Sequence, residues 1–280
     1  MKKIGFVDYY ISEWHANNYP QWIAEMNEKL GFDYKVCYAW AEEYVSPVDG
    51  VNTDQWCAEM GIERCQTVEE LCEKSDFIVI LAPSDPDTHL RLAQAVLPYG
   101  KRTYIDKTFA PNYEIAKEIF ALGEKYNAPF FSSSALRYSA ELADFKGTRN
   151  VMVTGGGRSL EEYGIHIIEM GVSVLKNPAK QVKVEHIGQH RVCKVVTENG
   201  NQAALIYAPG MPYCVAAELP DGTYSGQQMG GDFFKNLIAD MLNFFETGKA
   251  AFDPKETLEV MRLRDAILKA DVTENQWMEV

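Results

Sequence analysis

The chain has no cysteines at Cys-x-x-Cys spacing and no apolar run approaching the ~18 to 20 residues a membrane helix needs. It also has no Gly-x-Gly-x-x-Gly after its first strand-like segment. Each absence excludes something. Metal ligands usually come in closely spaced pairs, so the six cysteines at 37, 57, 65, 72, 193 and 214 read as reduced, partly buried thiols, and no metal is expected. Positive charge is scarce too: 27 Lys and Arg against 40 Asp and Glu leave a net charge of -13. A phosphate backbone needs clustered cations, so no nucleic acid is expected as partner. The opening Met1-Lys2-Lys3-Ile4-Gly5-Phe6-Val7 runs directly into a strand, with no apolar segment of signal-peptide length. The expectation is a cytoplasmic protein without a membrane partner.

What is present is an alternation of periods. Extended runs fall at Lys3–Val7, Tyr34–Tyr38, Phe77–Leu81, Thr103–Ile105 and Pro129–Ser132. Helical periods cover Trp14–Leu30, Thr53–Met60, Val68–Glu73, Asp87–Leu97 and Tyr113–Tyr126. Strand and helix in turn predict α/β architecture with a Rossmann-like, doubly wound parallel sheet over residues 1–134. After Ser134 the grammar changes. A helix-like segment, Glu161–Leu175, precedes extended runs at Val182–Gly188, Arg191–Thr197, Ala203–Tyr207, Tyr213–Leu219 and Thr223–Gln227, with hairpin signals at Asn199-Gly200 and Asp221-Gly222. Two amphipathic helices close the chain, one from Phe233 to Phe245 and one from Pro254 to Ala270. Residues 135–280 are therefore expected to form an α+β domain on a largely antiparallel sheet, for substrate and oligomerisation. Helices on one face of that sheet leave the other to be covered, which predicts a homo-oligomer, a dimer or tetramer.

The densest chemistry lies between Asp76 and Lys107. Phe77-Ile78-Val79-Ile80-Leu81 reads as a strand buried on both faces, Pro98 and Gly100 stop the following helix, and the next strand delivers Asp106 and Lys107. The carboxyl ends of parallel strands border the ligand crevice, so both side chains are aimed at a ligand.

Pro83, His89, Gly100-Lys101 and the strand ending Asp106-Lys107-Thr108 resemble the glucose-fructose oxidoreductase / inositol dehydrogenase / MocA family, in which this strand ends Glu-Lys-Pro. Asp and Thr stand here for Glu and Pro. A second likeness is Glu162-Tyr163-Gly164-Ile165-His166, since the family carries an acid four residues before a histidine on the helix opening its second domain. The resemblance implies NAD(P)-dependent hydride transfer to or from a sugar, polyol or related hydroxy compound. In that reading His166 accepts the hydroxyl proton, Lys107 lowers the alcohol pKa, and Glu162 orients His166 or binds a neighbouring hydroxyl. It also implies cofactor contacts from Pro83, His89 and Asp106, and a substrate-facing polar residue at Arg137 or Tyr138; for His89, in a helix's first turns beside Asp85 and Asp87, structural hydrogen bonding is the favoured alternative. For Arg137-Tyr138 an interdomain salt bridge is the alternative. Gly155-Gly156-Gly157 with Arg158 could admit an anionic or sugar group to backbone amides, or could be a plain connection.

The three glycine positions of a dinucleotide-binding turn hold Asp8, Tyr10 and Glu13. A carboxylate ~4 Å from a phosphate charge is repulsive by roughly 1 kcal/mol in water-like surroundings and about 4 kcal/mol at an effective dielectric of 20. The acid expected after the second strand for the adenosine ribose is also out of place if that strand ends at Tyr38, because Glu42 or Glu43 would have to reach back. Two readings follow. In one, NAD or NADP lies over the free amides of Ser12, Glu13 and Trp14 with Tyr9 and Tyr10 packed against it. In the other, Asp8, Tyr9, Tyr10, Trp14 and His15 reshape the crevice, and the protein is a catalytically silent, cofactor-free relative that binds a sugar-like ligand or serves as a scaffold.

Overall fold

The structure, a computed structural model, describes residues 1–219 and 221–280. Its first sheet has central strands that are largely apolar on both sides and a short polar edge strand, Glu63–Arg64. The strands are β1 (Lys2–Asp8), β2 (Tyr34–Ala41), β3 (Glu63–Arg64), β4 (Phe77–Ile80), β5 (Thr103–Ile105) and β6 (Phe130–Phe131). Helices α1 (Trp14–Leu30), α2 (Thr53–Met60), α3 (Val68–Lys74), α4 (His89–Val96) and α5 (Tyr113–Tyr126) alternate with them. All pairs are parallel, in the order β3-β2-β1-β4-β5-β6. Ile4, Phe6, Ile78, Val79, Ile80 and Ile105 are fully buried; such side chains contribute about 1.5–3 kcal/mol each. The strand order reverses between β1 and β4, and that switch point is where open α/β sheets form their crevice. β2 reaches Ala41 instead of stopping at Tyr38, and Asp8 stands in register with Ala41.

The second sheet follows from strands of alternating character: β7 (Asn150–Gly155), then, after α6 (Leu160–Leu175), β8 (Ala179–Ile187), β9 (His190–Thr197), β10 (Gln202–Tyr207), β11 (Cys214–Glu218) and β12 (Tyr224–Gln228). Two helices, α7 (Phe233–Thr247) and α8 (Glu256–Thr273), and the short β13 (Met278–Glu279) end the chain. The order is β12-β11-β7-β10-β9-β8-β13, with β7 and β10 parallel and the other pairs antiparallel. Val151, Val153, Val182, Val184, Val195 and Leu205 are buried, while Met152 on the opposite face is exposed, as are Tyr224 and Trp277. Strand β7 was not among the expected runs, although it occupies the middle of the sheet.

The chain forms two compact units, Met1–Ser133 with Leu237–Pro254, and Ser134–Asn236 with Lys255–Val280. A single break after Ser134 was the expectation. The difference is the returning segment, most of α7, and aromatic packing accounts for it. Phe245 stacks on Phe77 with ring centroids 4.8 Å apart, and Phe244 meets Phe131 edge-on at 5.0 Å. Arg102 closes the end of the helix by donating to the carbonyls of Phe245 and Glu246, as cationic groups do at helix C-termini. All six cysteines are free, and burial pushes the Cys193 thiol up to about 12. Among the described residues no helix is long and apolar enough to cross a membrane.

Candidate functional site

In the first unit, Asp8 ends β1, Glu42 follows β2, Ala82 and Pro83 lie just past β4, and Asp106 and Lys107 follow β5. These strand ends share one edge of a parallel sheet. The Asp8 Oδ1 accepts from Tyr9 N at 2.7 Å and from Ala82 N at 2.9 Å, tying β1 to the loop beyond β4 across the switch point. Its Oδ2 is buried and has no hydrogen-bond partner among the described residues. Burial first, and the charge of Glu13 second, push the Asp8 carboxyl well above the usual range.

Glu13 is the N-cap of α1 and folds its side chain over the helix end. Its carboxylate accepts from His15 N at 2.8 Å and from Ala16 N. First-turn amides have no partner within their own helix, so a capping carboxylate satisfies them and complements the positive end of the helix dipole. Glu13 N itself donates to Ile11 O at 2.9 Å. Of the three amides expected at this turn, those of Ser12, Glu13 and Trp14, that of Glu13 is taken by Ile11 O, and the next two along the helix, His15 N and Ala16 N, already hold an anion belonging to the chain. Ser12 is also engaged, its Oγ donating to Asp49 at 2.7 Å. With these amides taken, and with Asp8 and Glu13 both acidic, the residues present do not fit a dinucleotide pyrophosphate at this seat.

Asp106 is buried and holds His15 through Nδ1. It also accepts from Tyr104 Oη at 3.2 Å and from Lys107 N at 2.8 Å. Burial alone would raise its carboxyl; His15 and Lys107 outweigh that and hold it below the usual range. The His15 ring stacks on Tyr19, with centroids 5.2 Å apart and planes 12° apart. Asp106, expected as a cofactor contact, therefore anchors the first turn of α1 to the end of β5. Lys107 is half-buried, its Nζ donates to Pro83 O at 3.3 Å, and the Lys107–Thr108 peptide is cis.

Of the two roles expected for His89, cofactor contact and structural hydrogen bonding, its geometry matches the second. It is fully buried, with Nε2 2.5 Å from Leu81 O and Nδ1 3.0 Å from Phe109 O. Both ring nitrogens face backbone, so His89 fastens the loop after β4 to the segment after Lys107 and does not face a cofactor.

Glu42, expected to be out of place, needs no reaching back, because β2 runs on to Ala41. It stands one residue beyond the strand, where a ribose-binding acid belongs in this topology. Arg91 grips it with Nε to Oε2 at 2.8 Å and Nη2 to Oε1 at 2.9 Å, and the same guanidinium lies 5.7 Å from the centre of the Tyr9 ring. Tyr9 and Tyr10 meet edge-on at 5.9 Å, and Trp14 is exposed.

In the second unit, His166 on α6 is held by Ser134, Oγ to Nδ1 at 2.7 Å, with Tyr163 and Tyr213 rings 5.8 and 5.7 Å away. Glu162 does not orient it: its carboxylate pairs with Arg158, which is exposed and lies over Tyr163. The glycine run is a packing device. A Cβ on Gly156 would lie 1.9 Å from Ala208 O, and one on Gly157 would lie 2.0 Å from the Tyr163 ring. Tyr213 and Tyr207 donate to the Gly156 and Gly157 carbonyls at 2.8 and 2.7 Å.

Arg137 is buried, not substrate-facing. It pairs with buried Glu169 through Nε and with Glu256 through Nη1 at 2.7 Å, all within the second unit. Tyr138 is half-buried and its carbonyl accepts from Asn236.

No protein-family model and no curated protein sequence matches the chain. Solved structures do match. GenD2 from gentamicin A biosynthesis, in complex with NAD, is 13% identical with a TM-score of 0.79, covering 100% of this chain and 97% of its own. The aldose-aldose oxidoreductase of Caulobacter crescentus, complexed with glycerol, is 11% identical with a TM-score of 0.75, covering 100% and 99%. The UDP-N-acetylglucosamine 3-dehydrogenase of Acidithiobacillus ferrooxidans is 13% identical with a TM-score of 0.75, covering 97% of each chain. At such identities the likeness is one of fold. Along nearly its whole length, the chain has the fold of the glucose-fructose oxidoreductase / inositol dehydrogenase / MocA proteins that its Asp106-Lys107-Thr108 and His166 motifs resemble.

Proposed function

We propose that the protein is an oxidoreductase acting on a hydroxyl group of a sugar, polyol or related small hydroxy compound. The observation that carries this reading is Ser134 holding His166 by Nδ1 on the helix that opens the second unit. A histidine fixed through one ring nitrogen presents the other in a set direction, as proton transfer at a substrate hydroxyl requires. Lys107, at the end of β5, is the cation of this reading. An ammonium beside an alcohol oxygen favours the alkoxide as the proton leaves. Lys107→Met and His166→Ala variants test the two roles separately. Arg158 and Tyr138 are the polar side chains proposed for substrate contact. The fold shared with a UDP-N-acetylglucosamine 3-dehydrogenase and an aldose-aldose oxidoreductase supports the substrate class.

The proposed hydride acceptor is NAD or NADP. A second reading, a cofactor-free binder of the same kind of ligand, is favoured by the Glu13 carboxylate seated on the α1 amides. Titration with NAD(H) and NADP(H), followed by nicotinamide fluorescence and by calorimetry, decides between them. Saturable micromolar binding supports the oxidoreductase; no binding at millimolar cofactor leaves the binder. The homo-oligomer is likewise a proposal, of second copies meeting through the uncovered face of the second sheet, and light scattering that finds a monomer at micromolar concentration removes it.

A further inference from the structure

We propose that Glu13 is a built-in occupant of the anion seat at the start of α1, and that a dinucleotide enters this crevice only by displacing it. The inference takes from the oxidoreductase reading only the identity of the ligand. Three observations carry it. The Glu13 carboxylate accepts from His15 N and Ala16 N, the amides an incoming pyrophosphate would need. The α1 helix is 17 residues long, so its terminus carries the full positive end of a helix dipole, and one anion satisfies it. Finally, Asp8 has a buried Oδ2 without a hydrogen-bond partner among the described residues, and the charge acting most strongly on it is that of Glu13.

A second anion in this place would crowd a carboxylate cluster. Asp8 from β1, Asp106 from the end of β5 and Glu13 face one another, with His15 from the same helix turn and Lys107 beside Asp106 as the basic groups. Burial raises the carboxyls of both Glu13 and Asp8. Bringing a pyrophosphate close raises them further, so binding takes up protons and weakens as pH rises. The seat thus behaves as a competitive site whose inhibitor is tethered to the chain.

The experiment compares the full-length wild type with Glu13→Gly and Glu13→Gln. Glycine is tolerated at an N-cap and empties the seat. Glutamine keeps an acceptor oxygen for the amides but removes the charge, so it remains informative should the glycine variant fold poorly. NADH and inorganic pyrophosphate are titrated by calorimetry between pH 6 and 8 in two buffers of different ionisation heat, with adenosine as an uncharged control. The expected result is about tenfold or greater tightening for NADH and pyrophosphate in Glu13→Gly. Glu13→Gln should gain less, and adenosine should be unaffected. Equal, pH-independent NADH affinity in all three proteins would overturn the inference and leave the cofactor assignment standing. Absence of NADH binding in all three would remove both. Binding by Glu13→Gly but not by the wild type would establish the tethered anion as a complete block.

Discussion

Ser134 Oγ lies 2.7 Å from His166 Nδ1, and this contact takes the place that Glu162 was expected to fill. A neutral hydroxyl can donate to or accept from the ring, so it fixes the imidazole without adding charge beside it. His166→Ala should lower kcat by about 10²- to 10⁴-fold, the usual contribution of a general base. Ser134→Ala should cost roughly fivefold, the equivalent of about one hydrogen bond, and should displace the basic or acidic limb of the kcat–pH profile. Steady-state kinetics on any hydroxy compound that turns over check both. Full activity in His166→Ala or Lys107→Met would remove those residues from the mechanism.

The Arg137–Glu169 pair makes a prediction about stability. Arg137→Met removes one partner of a buried ion pair with Glu169, a change that typically costs about 3–5 kcal/mol. Urea unfolding would show it as a lower midpoint with an unchanged slope. An unchanged midpoint with a raised KM would instead restore Arg137 to the substrate.

Asp8 should make stability fall as pH rises. Its folded pKa lies above the unfolded one, so its contribution is complete below the unfolded value, near ~3.9, and is lost as pH climbs through the folded value. Asp8→Asn keeps an oxygen for Tyr9 N and Ala82 N and removes the titration. At pH 8 it should stabilise the protein by about 1–3 kcal/mol, the scale of a buried unsatisfied polar group, with the gain shrinking toward acid pH. Thermal melts across that range test it; a gain that grows on acidification would contradict the assignment.

The Gly155–Gly157 run should separate two kinds of crowding. In Gly156→Ala the new Cβ meets the Ala208 carbonyl, which is backbone and cannot rotate away, so a loss of about 3 kcal/mol or more is expected. In Gly157→Ala it meets Cγ of Tyr163 and, at 2.6 Å, its Cβ, so the residue must shift as a whole, and a smaller loss of about 1–3 kcal/mol is expected. Reversal of that order in chemical unfolding would show that the run is a flexible connection.

Much of the first sheet was legible because burial on both faces writes itself as unbroken apolar runs such as Phe77–Leu81. The length of β2 was not, since Ala39-Trp40-Ala41 carries no strand period, and with it went the position of Glu42. Strand β7 was hidden by Met152, an apolar residue on the exposed face that masks the alternation of Val151 and Val153. The helix spacing that suggested Glu162 with His166 serves Arg158 and Glu162 equally, and the charged pair prevails. Arg137 could not have been read from sequence at all. Its ionic partners stand 32 and 119 positions away, and only the fold brings them together.

The first unit is not a prefix of the polypeptide. Its wall of Phe244 and Phe245 is translated only after six of the seven strands of the second unit's sheet, β7 to β12, have been made. Domains otherwise tend to fold in the order in which they leave the ribosome. Here the nascent first unit must wait, with Phe77 and Phe131 lacking their ring partners, until more than a hundred further residues have emerged. A fragment cut at the apparent domain border would be permanently in that unfinished condition. Supplying residues 237–254 in trans, or moving them by circular permutation to follow Ser133, is what would complete it.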